Sequence, residues 1–108
     1  MDKNIAENKE IFHLCNEIKR LFNIEKLIIF GVKKSEKDDT VTDLDICIIA
    51  ENIDDKNAWV KKAYVDIDSD IPYDIFLYTH QEWNECLKTT KSFASRIDRK
   101  GYVVYEKK

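Results

Sequence analysis

Three aspartates stand inside otherwise apolar stretches: Asp43 and Asp45 in Asp43-Leu44-Asp45-Ile46-Cys47-Ile48-Ile49, and Asp74 in Tyr73-Asp74-Ile75-Phe76-Leu77-Tyr78. Side chains alternate along a strand, so Asp43 and Asp45 project to one face, about 7 Å apart along the chain, while Leu44 and Ile46 take the other. Asp45 is the third residue of its expected strand, and Asp74 is the third of the next, counted from Pro72. The segment between them is long enough for a helical crossover, which permits parallel strands with the two third positions at similar height. Three carboxylates would then converge on one patch. Gathered like charges repel and destabilise a fold unless a cation sits among them. A hard divalent ion held by oxygen ligands, Mg²⁺ or Mn²⁺, is the usual remedy, and it is typically shared with substrate phosphates. Two such ions about 3.5–4 Å apart would activate an attacking oxygen and stabilise a leaving pyrophosphate. The competing reading is purely structural: Asp43 caps a strand or turn, and Asp45 and Asp74 pair with lysines.

The elements that must position these residues are legible from periodicity. Residues 5–22 carry Ile5, Phe12, Cys15, Ile18, Leu21 and Phe22 mostly at three- and four-residue spacing, which predicts an amphipathic helix. The apolar run at 26–30 suits a strand buried on both faces and stops at Gly31. Residues 32–42 are polar and predict a loop or short exposed helix. Antiparallel pairing of the first two strands would set Gly31 beside Asp43. A glycine there lets a phosphate approach the backbone, and a following helix N-terminus would offer N–H donors. Lys33 and Lys34 would add cationic contacts. The strand at 43–49 is followed by a helix within 54–68, capped by Asp54 or Asp55. Pro72 opens the strand at 73–78. Thr79 caps a helix from His80 with Glu82 in its first turn, a further helix spans roughly 89–100 with Gly101 as its C′ residue, and 102–105 form a last short strand. The expectation is one α/β (α+β) domain over residues 1–108, a small mixed sheet packed against helices.

Composition narrows the field. With 108 residues the chain suits one domain, and 44% hydrophobic with 36% charged residues supplies both a core and a polar shell. The formal charge of −3, from 18 basic and 21 acidic residues, leaves no basic stripe for direct nucleic-acid binding. The longest apolar stretches are about six residues, against the roughly 20 that cross a bilayer. The start, Met1-Asp2-Lys3-Asn4, has no apolar signal core, so the expected location is the cytoplasm. Cys15, Cys47 and Cys86 are isolated and read as free thiols, and no zinc spacing exists. His13 and His80 read as structural or surface residues. Trp59, Tyr64, Trp83 and Tyr102 read as core packing, with interface anchoring as the alternative.

Phe30-Gly31-Val32, ten residues, then Asp43-Leu44-Asp45 resembles the Gly-Ser-x10-Asp-x-Asp signature of the DNA polymerase beta-like nucleotidyltransferase superfamily. The chain is most similar to its minimal nucleotidyltransferases, single domains of about this length. The likeness spans the leading helix, the strand ending Phe-Gly, Thr42 before the first aspartate, the later strand with Asp74, and the closing Ile97-Asp98-Arg99-Lys100-Gly101-Tyr102-Val103-Val104-Tyr105-Glu106. It implies the nucleotidyltransferase fold, with Asp43, Asp45 and Asp74 as catalytic and metal ligands for Mg²⁺ or Mn²⁺. Asp74 would also act on the attacking hydroxyl. Gly31, Val32, Lys33, Lys34, Ser35 and Thr42 would lie at the nucleotide. The implied reaction moves a nucleoside monophosphate, by default AMP from ATP, to a hydroxyl. The implied partner is a HEPN-domain protein, in several families the toxin of a toxin–antitoxin pair whose tyrosine is adenylylated or which is simply bound. A domain this small leaves little chain for an acceptor pocket, so a homo- or hetero-oligomer is also expected.

This chain departs from the family's loop, commonly Gly-Ser-Arg-Ala-Arg-Gly, by reading Gly31-Val32-Lys33-Lys34-Ser35-Glu36. Valine cannot donate the serine's hydrogen bond, the second glycine is missing, and Glu36 adds negative charge near the expected phosphates. Ser35 or Thr42 would have to supply the hydroxyl. Two readings follow: a metal-dependent nucleotidyltransferase, or a non-catalytic antitoxin or regulatory binding module of the same fold.

Overall fold

The structure is a computed structural model that describes residues 8–38 and 40–108. Helix α1 (Lys9–Leu21) begins where the Asn8 side chain accepts the backbone N–H groups of Glu10 and Ile11. Residues 5–7 of the expected helix lie outside the described residues. Ile11, Leu14, Cys15 and Ile18 form its buried stripe, while Phe12, expected on the apolar face, points to solvent. The i, i+3, i+4, i+7 set starting at Ile11 wins because it places four side chains on one stripe, and Phe12 falls outside it.

Strand β1 (Lys26–Lys34) pairs antiparallel with β2 (Val41–Ala50). Helix α2 (Lys56–Asp66), capped by Asp55, leads to β3 (Tyr73–Thr79), which runs parallel to β2. Helix α3 (His80–Leu87) follows at once under a capping box in which Thr79 and Glu82 satisfy each other's backbone N–H. Helix α4 (Phe93–Lys100) starts from the Ser92 cap, so residues 89–92 of the expected helix form its approach. Strand β4 (Tyr102–Glu106) closes the sheet on the free side of β1, giving the order β3-β2-β1-β4. Gly101 is extended, with φ −77°, and not a left-handed C′ residue. Its need is space: a Cβ there would run into the Ile28 side chain and lie 2.6 Å from the Ile97 carbonyl.

The fold is α/β, four helices about a four-stranded mixed sheet among the described residues. One sheet face, with Leu27, Ile29, Leu44, Ile46, Ile48 and Leu77, packs against α1 and α2 in the larger core. The other, with Ile28, Cys47 and Ile49, packs against Trp83 of α3 and Ala94 and Ile97 of α4. The central strand β2 is buried on both faces from Ile46 to Ala50, which explains its continuous apolar run. Trp59 stacks on Phe22, and Trp83 is buried; Tyr102 leans on the larger core. Tyr64 is half-exposed and donates its hydroxyl to the Tyr73 carbonyl. No described helix is long and apolar enough to cross a membrane.

The stretch at 32–42 differs from its expected loop or helix. β1 continues through Val32, Lys33 and Lys34, and β2 already begins at Val41. The two strands form a hairpin whose turn closes with the Ser35 N–H on the Thr40 carbonyl. Backbone pairing carries the strands beyond the apolar run because each added ladder bond satisfies a polar group, even with lysines on the surface. Among the described residues between Gly31 and β2 there is no helix N-terminus.

Candidate functional site

The pairing of β1 with β2 changes step twice near the aspartates, between Ile29 and Gly31 and again between Lys33 and Lys34. Ile29 stands opposite Ile46, but Gly31 stands opposite Asp45, so Phe30 is an extra residue, a β-bulge. This first irregularity reverses which residues of β1 face which way. Before it, Ile28 and Phe30 belong to the smaller core; after it, Gly31 and Lys33 share a face with their partners Asp45 and Asp43. Gly31 therefore lies beside Asp45, not Asp43 as the sequence led us to expect. The contact is close: a Cβ at position 31 would collide with Oδ2 of Asp45. Glycine at this position is the space in which the Asp45 carboxylate rests.

Asp74 joins from β3. It is the register partner of Asp45 across the parallel ladder, at the inter-strand spacing of about 4.8 Å. Cross-strand partners share a face, so Asp43, Asp45 and Asp74 all lie on the side of the sheet that carries Cys47, Phe76 and Tyr78. Helices α3 and α4 cover that side from Cys47 onward and leave the aspartate end open. Asp43 and Asp74 are exposed, and Asp45 is half-buried. At the border, Phe30 meets Phe76 and Phe93 edge-on and those two rings are tilted to each other, with centroids 5.3–5.6 Å apart.

The remaining sequence candidates separate into two groups. Lys33, exposed and opposite Asp43, is on the carboxylate face. Val32 is opposite Leu44 and packs on the larger core, across the sheet from the aspartates. Lys34 pairs with Val41, a residue of that same larger core. Thr42 donates its hydroxyl to the Lys33 carbonyl at 3.3 Å, and Ser35 Oγ accepts the Lys37 N–H at 3.2 Å inside the turn. The structure thus gathers Gly31, Lys33, Asp43, Asp45 and Asp74, engages Val32, Ser35 and Thr42 elsewhere, and sets Lys34 opposite Val41.

The donor set suits a hard cation: three carboxylates, with no nitrogen or sulfur ligand offered from the same positions. Their ligand atoms are less tightly drawn together than those of Glu25, Glu51 and His80, which all lie within 4.8 Å of one another at the far end of the sheet. That second group escaped sequence reasoning because its members are far apart in the chain. The signal was present in the strand ends: Glu25 precedes β1, Glu51 follows β2 and His80 follows β3. Comparison of the chain with models of known protein families, with curated proteins and with solved structures finds no match.

Proposed function

We propose that this chain is a metal-dependent nucleotidyltransferase of the minimal nucleotidyltransferase type, acting in the cytoplasm on a nucleoside triphosphate. The observation that supports it is the in-register pair Asp45 and Asp74, with Asp43 on the same open face and Gly31 making room for Asp45. Asp43, Asp45 and Asp74 hold Mg²⁺ or Mn²⁺, which when bound neutralises charge on the phosphate oxygens. Lys33 supplies a further positive charge on that face. Asp74, exposed on the edge strand β3, orients the acceptor hydroxyl and takes its proton. The acceptor oxygen bonds to the α-phosphorus, the bond to the bridging oxygen breaks, and pyrophosphate leaves; positioning and charge do most of this work. The acceptor we favour is a tyrosine hydroxyl of a HEPN-domain partner. The test is transfer from α-labelled ATP with Mg²⁺: the wild-type chain with its acceptor incorporates label and Asp45→Asn does not. Equal transfer by both rules the assignment out.

A non-catalytic module of the same fold, an antitoxin or regulator that occupies its partner, is the second reading. It is favoured by Val32, which packs on the opposite face, and by the hydroxyls of Ser35 and Thr42, both engaged with backbone. Such a module shows neither heat nor shift with millimolar Mg-ATP.

A further inference from the structure

At the end of the sheet opposite the aspartates, three strand ends deliver side chains to one point. Glu25 sits directly before β1, its N–H donating to the Ile49 carbonyl at 2.8 Å and its carbonyl accepting the Lys107 N–H at 2.7 Å. Glu51 and His80 come directly after Ala50 and Thr79, the last register partners of the parallel pair β2 and β3, so both leave adjacent strands at one level. This is the carboxyl end of the parallel strands, where α/β sheets most often place ligands. The His80 backbone is fixed by the capping box of α3. Its Nδ1 lies 3.0 Å from Glu25 Oε2, and one atom each of Glu25, Glu51 and His80 lies within 4.8 Å of the others. Ligands about 2.0–2.2 Å from a tetrahedral ion stand about 3.4 Å apart, so the two atoms now in direct contact need to separate by only a few tenths of an ångström to share one.

We propose that Glu25, Glu51 and His80 form a second metal site, selective for a borderline divalent cation such as Zn²⁺ or Co²⁺. One imidazole and two carboxylates prefer these ions, whereas the all-carboxylate face prefers Mg²⁺. The sites are independent: Glu51 lies six residues beyond Asp45 along β2, about 20 Å at strand rise. Three protein ligands leave coordination positions open. Space for them exists on both sides of Glu25, in a groove of about 240 Å³ floored by Ile49 and Trp83 and another of about 480 Å³ reaching Glu51 and Asn52. Metal on Nδ1 leaves the His80 proton on Nε2. In the metal-free chain the same imidazole, when protonated, pairs with Glu25, its side chain half-exposed.

The chelator-stripped full chain is titrated with Zn²⁺ by calorimetry and with Co²⁺ by visible absorption. The expected result is one equivalent bound with micromolar affinity, weakened at least about tenfold in His80→Ala and in Glu51→Gln and unchanged in Asp45→Asn. Both positions are accessible enough that the variants keep the wild-type circular dichroism, and in the wild type the His80 ring resonances, not those of His13, respond to Zn²⁺. Absence of saturable binding, or binding that His80→Ala and Glu51→Gln leave intact, overturns the proposal. Binding lost in Asp45→Asn alone assigns the ion to the aspartates and overturns it too.

Discussion

Gly31 and Asp45 are one unit at the residue scale. A methyl at position 31 occupies the place of the Asp45 carboxylate, so Gly31→Ala forces a shift of strand or side chain. We expect it to destabilise the chain by about 1–3 kcal/mol, as overpacking does, and to cost clearly less in an Asp45→Ala background. A denaturant-melt double-mutant cycle measures this coupling; additive losses would mean that the two side chains do not compete for space. Val32 gives the complementary expectation. It packs on the larger core across the sheet from the carboxylates, so Val32→Ser introduces the serine of the nucleotidyltransferase loop signature without creating a phosphate contact. The variant should lose about 1 kcal/mol of stability, from apolar area given up, with no gain in nucleotide affinity. Tighter Mg-ATP binding by this variant would show that position 32 faces the site. That the aspartates and the glycine would come to one sheet face was legible in the sequence because acid inside apolar strands is chemically conspicuous. The partner of Gly31 was not, since an extra residue at Phe30 leaves no compositional trace and moves every later side chain of β1 to the other face.

Element boundaries followed local chemistry where a cap or proline marked them, as at Asp55, Pro72 and Thr79. They failed where pairing alone decides, as in the hairpin arms at 31–34 and 41–42. Thr79 is the junction between two elements, ending β3 and capping α3, which starts at His80. Its hydroxyl accepts the Glu82 N–H at 3.1 Å while Glu82 accepts the Thr79 N–H at 2.9 Å. That backbone bond, aided by Lys56, holds the Glu82 carboxyl below the ordinary value. Thr79→Ala should cost about 1 kcal/mol, a fall of about 4–8 °C in Tm for a domain of this size. It should also loosen His80, which proton exchange at the α3 amides would report; unchanged protection there would separate the cap from the histidine. The strand ends marked Glu25, Glu51 and His80 singly but did not show them as a group, for a related reason. Its members are brought together by register between strands, and register is written in no single segment.

For the molecule as a whole, the two cores set the chemistry of the thiols. Burial pushes Cys15 up to about 11 and Cys47 up to about 12. Both are therefore protonated and shielded in the native state, so alkylation at neutral pH should label Cys86 and reach the other two only after denaturation. The sign for stability follows. Folding raises these pKa values above the unfolded one, near 9.0, so the unfolded chain releases its thiol protons first. Stability should hold below about pH 9 and fall as the pH climbs from there toward the folded values. A denaturant midpoint flat from pH 8 to pH 11 would contradict the burial of both residues. The layered arrangement also explains why one sheet face is open at the aspartate end only: α3 and α4 are short, eight residues each, and cover that face from Cys47 onward. A calorimetric titration of the chain with Mn²⁺ and a non-hydrolysable ATP analogue tests the central assignment most directly. The expected result is saturable, metal-dependent nucleotide binding that Asp45→Asn weakens at least about tenfold, as the loss of a charged ligand should. Absence of binding at millimolar nucleotide, or equal binding by Asp45→Asn, would contradict it.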